Sequence, residues 1–70
     1  MKKHCVKILE YKTSSVYSKW FYTSEEASKY FDECVGLISN EKYPERTAFC
    51  VMRFNDGILM YFEDIIVGVS

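Results

Sequence analysis

Four short segments of the chain read as strands, the first by a two-residue alternation and the others as runs rich in β-branched, aromatic and other apolar residues, and one longer segment between them carries helical spacing. Val6 and Ile8 fall on one side of the first segment and Leu9 and Tyr11 on the other. Lys12-Thr13-Ser14-Ser15 reads as a turn, and the β-branched and aromatic run that follows pairs back as a hairpin. Thr23-Ser24-Glu25-Glu26 spells a capping box, with Thr23 as N-cap and Glu26 reaching back to it. Tyr22 stands where a hydrophobic staple would. Ala27, Tyr30, Phe31, Cys34, Leu37 and Ile38 then form one apolar helical stripe, weakened at Gly36 and stopped near Asn40. A charged loop with Pro44 leads to a third strand. Asn55-Asp56-Gly57 marks a tight turn into a fourth, with Gly57 supplying a positive φ.

The pattern predicts strands over about 5–11, 16–22, 48–54 and 58–63 and a helix over about 24–39. The order is β-β-α-β-β. That is an α+β fold, a four-stranded antiparallel sheet with one helix packed on one face, in a single small domain spanning residues 1–70. The apolar end, Ile65-Ile66-Val67-Gly68-Val69-Ser70, is read as a tail able to fold over the sheet.

Nearly every strand is apolar on both sides, yet only one helix is available as cover. The charge-poor set (His4, Val6, Ile8; Val16, Ser18, Trp20, Tyr22; Ala48, Cys50, Met52, Phe54; Ile58, Met60, Phe62) is expected beneath the helix. The opposite set is expected to stay open as an aromatic face dotted with Lys7, Lys19 and Arg53. Tyr11, Tyr17, Lys19, Phe21, Phe49, Arg53 and Tyr61 are the partner-binding residues this predicts. Phe49→Asp is accordingly expected to abolish association and spare the fold.

Composition sharpens this picture. With 49% hydrophobic and 17% aromatic residues the chain is no disordered segment. Size scaling gives 70 residues a folded surface of roughly 4,600 Å² and buries only about 60% of the unfolded one. Chains this small gain from association. A formal charge of −1 lacks the basic field of a sequence-blind DNA binder. Three cysteines, no apolar leader after Met1-Lys2-Lys3-His4-Cys5 and no membrane-length apolar run predict a cytoplasmic protein with reduced thiols.

No catalytic residue, metal site or cofactor is expected. His4 and Cys5 point to opposite faces, and no Cys-x-x-Cys knuckle would gather Cys34 and Cys50 around zinc. The carboxylates of Glu25, Glu26, Asp32 and Glu33 decorate the outer helix, and there is no Gly-rich phosphate loop. The chain is therefore expected to be no enzyme.

The compact β-β-α-β-β unit, with Trp20-Phe21-Tyr22-Thr23-Ser24-Glu25-Glu26-Ala27 leading from strand to capped helix, resembles small accessory proteins of bacteriophages and mobile elements, of the anti-CRISPR or other anti-defence inhibitor type. The resemblance is one of format over the whole chain and gives no residue a role. It implies an inhibitor that covers a host protein complex in the host cytoplasm. The partners expected are that complex and a second copy of the chain as a homodimer. The alternatives are a nucleotide or single-stranded nucleic acid stacked on the same face, and a structural subunit of a larger assembly.

Overall fold

The computed structural model describes residues 1–68 and contains β1 (His4–Glu10), β2 (Ser15–Phe21), α1 (Ser24–Asn40), β3 (Thr47–Asn55) and β4 (Ile58–Val67). The β-β-α-β-β fold is as expected: a four-stranded antiparallel sheet with α1 on one face. The strand order is β2-β1-β3-β4, so the two hairpins lie side by side and β1 and β3 hold the centre.

Local chemistry explains the elements. At the start of α1 the Thr23 hydroxyl accepts from the Glu26 amide at 3.2 Å, and the Glu26 carboxylate accepts from the Thr23 amide at 3.2 Å. Two otherwise orphaned donors are thereby satisfied. Tyr22 stays exposed, with Lys2 Nζ 5.2 Å from its ring centre. At the other end the Asn40 side chain donates to the Gly36 carbonyl at 2.8 Å, and the Glu41 amide to that of Leu37 at 3.1 Å. Asp56 and Gly57 have φ of 53° and 82°, the two positive angles that a type I′ hairpin turn requires.

Register fixes the faces. Glu10 pairs with Ser15 across a four-residue loop, so even-numbered residues of β1 share a face with odd-numbered residues of β2. Between β1 and β3 the pairs run from His4↔Asn55 to Glu10↔Phe49, again joining even with odd. In β4 the ladder slips between Arg53 and Phe54, where Arg53 pairs with Tyr61 but Phe54 with Leu59, leaving Met60 as the extra residue of a bulge.

The core beneath α1 is Val6 and Val51, both fully buried, with Ala27, Phe31, Cys34 and Ile65. Ile8, Phe21, Tyr30, Val35, Ile38 and Val67 pack around them. Two expectations are corrected here. Leu37, assigned to the apolar stripe, is 71% exposed, and Val35 takes a place against the core instead. The run from Ile65 is no flap: it continues β4 to Val67, with Ile65 under the helix. Val69 and Ser70, the rest of that expected tail, lie outside the described residues. Gly68 follows at φ 101°, and any Cβ there would fall 2.2 Å from the Glu45 carbonyl oxygen, so the chain passes the 41–46 loop where only glycine fits. That loop is tied to the β1–β2 turn by an ion pair between Lys12 and Glu45.

Candidate interaction surface

One face of the sheet is left without cover, as the shortage of helix requires, but its membership differs from the one expected. β1 is oriented as expected, β2 and β3 present the opposite set of residues, and β4 keeps Ile58 and Leu59 on their expected sides but is reversed from Tyr61 onward, beyond its bulge. The helix side carries His4, Val6 and Ile8 from β1, then Tyr17, Lys19 and Phe21 from β2. From β3 and β4 it carries Phe49, Val51, Arg53, Tyr61 and Glu63. The uncovered side carries Cys5, Lys7, Leu9 and Tyr11; Val16, Ser18 and Trp20; Ala48, Cys50, Met52 and Phe54; and Leu59, Phe62, Asp64 and Ile66.

Of the seven predicted partner-binding residues, only Tyr11 lies on the uncovered face. Its hydroxyl donates to Asp64 Oδ1 at 3.4 Å, and desolvation followed by the Asp64 charge raises its pKa. The other six are on the helix side, where α1 or a loop engages several of them. Phe21 meets Tyr30 with ring centres 5.3 Å apart. Tyr61 meets Phe31 at 5.3 Å, edge to face. Phe49 meets Tyr43 at 5.6 Å. Lys19 stretches its stem so that Nζ sits 4.9 Å from the Tyr30 ring centre and 5.9 Å from that of Phe21. Tyr17 lies beside Tyr30, whose pKa is pushed up by burial and then by hydrogen bonds with Cys34 and Tyr17. Arg53 borders a wide hollow of about 650 Å³ with Ser24, Glu25, Ser28, Lys29 and Asp32. Two cations and two carboxylates meet there, so the hollow favours neither sign of ligand.

Lack of charge does not by itself mark an inner face, because a side chain such as Lys19 can line the border of a core by laying its methylenes on a ring and keeping its ammonium wet. Loop length was the signal that would have sorted the faces. Once Glu10 and Ser15 close the first turn, Val6 and Ile8 cannot share a face with Trp20.

The uncovered face is apolar in fact. Val16 (59%), Trp20 (48%), Leu59 (46%), Phe62 (55%) and Ile66 (64%) are each about half exposed, as is Tyr11. At about 150–250 Å² for a large side chain, these six present on the order of 600 Å², at or beyond the largest patch of an ordinary monomer. Between them lie the small side chains of Cys5 and Cys50, buried by their neighbours: Cys5 pairs with both Trp20 and Phe54. Desolvation raises both thiol pKa values, helped at Cys50 by a hydrogen bond with Asp64. Lys7 is the one cation of the face, its Nζ 5.3 Å from the Phe54 ring centre, and Asp64 the one anion.

Among the described residues no three His, Cys, Asp or Glu side chains gather where they would hold a metal ion, and no helix is long and apolar enough to cross a membrane. The architecture defines a small two-layer α+β protein with an uncovered apolar sheet face. Comparison with family models, with curated proteins and with solved structures returns no match.

Proposed function

We propose that the chain is a non-catalytic protein-binding module whose working surface is the uncovered sheet face. One observation carries this reading: Trp20, Leu59, Phe62, Val16 and Ile66 stand half exposed together on the one sheet face that no helix covers. Aromatic and branched side chains ringed by few charges are what the centres of protein interfaces contain. The inhibitor class that the chain resembles in format works either by covering a host complex or by sequestering a signalling nucleotide, and the uncovered apolar face fits the first of these. Three free, buried cysteines suit a reducing cytoplasm. A nucleic-acid platform is less favoured, because Lys19 and Arg53 turn to the helix side and leave Lys7 as the face's one phosphate-binding cation.

Photo-crosslinking tests the proposal. A benzophenone amino acid at Phe62 is expected to give covalent protein adducts in cells, and the same probe at Lys29 on the exposed helix surface few or none. Adducts from Lys29 alone, or from neither, would overturn it. Phe62→Asp is expected to leave the circular dichroism intact. Phe49→Asp, which places a carboxylate against Tyr43 on the helix side, is expected to destabilise the domain, the reverse of its expected role as an interface variant.

A further inference from the structure

We infer that the occupant of the uncovered face is a second copy of this chain, the two sheets packing face to face about a two-fold axis to give four layers with the helices outside. This rests on the reading that the face binds protein, and names the protein.

Three observations carry it. The first is area. The face presents on the order of 600 Å² from its six most exposed side chains, with further contributions from Leu9, Met52 and Phe54, close to the ~800 Å² per partner of a standard interface. The second is charge. A self-pairing face must complement itself, and this one holds one cation, Lys7 on β1, and one anion, Asp64 on β4. They are two strands apart and offset by two residues along the sheet, about 12 Å from strand spacing and rise. A two-fold axis lying along the face and crossing β3 midway between them sets each Lys7 over the partner's Asp64 twice over. A face of one sign would repel its copy. The third is relief. Trp20, Phe54 and Phe62 stand around low ground at Cys5, Cys50 and Ala48, so ridges on one sheet have hollows to enter on the other.

Sedimentation across a concentration series, from low to high micromolar, tests the inference with four variants whose fold is checked by circular dichroism. The wild-type chain is expected to shift to twice its 8.3 kDa mass. Lys7→Asp sets like charges against the partner's Asp64 and is expected to weaken self-association about tenfold or more; Asp64→Lys acts likewise. The double exchange, Lys7→Asp with Asp64→Lys, is expected to recover most of the loss, which a merely structural effect of either change would not do. Leu37→Asp on the exposed helix is expected to change nothing. Three results would overturn self-pairing: no recovery in the double exchange, dissociation by Leu37→Asp, or a wild-type chain that stays monomeric. A monomer that still yields crosslinks to another protein at Phe62 would leave the docking reading standing; a monomer without crosslinks would remove both.

Discussion

Cys5, Cys34 and Cys50 are 0, 6 and 7% exposed, and burial holds all three thiols protonated beyond the ordinary 9.0. A thiol whose proton is held more tightly in the folded state favours folding fully below the unfolded value and loses that advantage as pH climbs above it. The urea midpoint is therefore expected to hold between pH 7 and about 8.5 and to fall beyond it, through unfolded-state ionisation near 9. In the native protein at pH 8 a disulfide reagent should react slowly with all three cysteines and quickly once denaturant is added. A thiol that reacts at once in the folded chain would contradict the burial described. Cys34 was legible in the helical stripe, whereas Cys50, expected beneath the helix, is buried instead among its neighbours on the uncovered face, beside Cys5. Leu37 and Val35 were harder. Both fit a helical stripe, and only the place where α1 crosses the sheet decides which of them meets it.

At the level of elements the sequence was most transparent where backbone groups must be satisfied locally. The helix begins at Ser24 because Thr23 and Glu26 exchange hydrogen bonds, and the second hairpin turns at Asp56-Gly57 because that pair tolerates positive φ. Thr23→Ala removes one of the two reciprocal acceptors and is expected to cost about 1 kcal/mol, read as a lower urea midpoint with an unchanged slope. No loss would mean that Glu26 alone sustains the cap. The faces of the strands were less legible, since β2, β3 and β4 are rich in large apolar residues on both sides and alternation alone does not orient them. Register supplies what alternation lacks. A four-residue loop in the first hairpin and a bulge at Met60 in the second settle which residues face α1, and neither is visible in hydrophobicity.

Across the whole molecule the shortage of cover was legible from simple counting: one 17-residue helix cannot shield both sides of a four-stranded sheet. The accessible surface is 4999 Å² against roughly 4,600 Å² expected for this mass. The excess is of the order of an open apolar face. Strand order was beyond the sequence, because β1 meets β3 only after the chain has passed through β2 and α1, and nothing local records that pairing.

That order divides the molecule in a useful way. Residues before the 41–46 loop contain one complete hairpin and the helix, and residues after it the other hairpin. What joins them is the β1–β3 ladder of seven residue pairs and the apolar layer under α1. Severed within 41–46, the chain should yield two fragments that reassemble on mixing, with the helical dichroism returning only when both are present. A domain of this design is thus a natural split reporter, its two pieces zipping along a single seam.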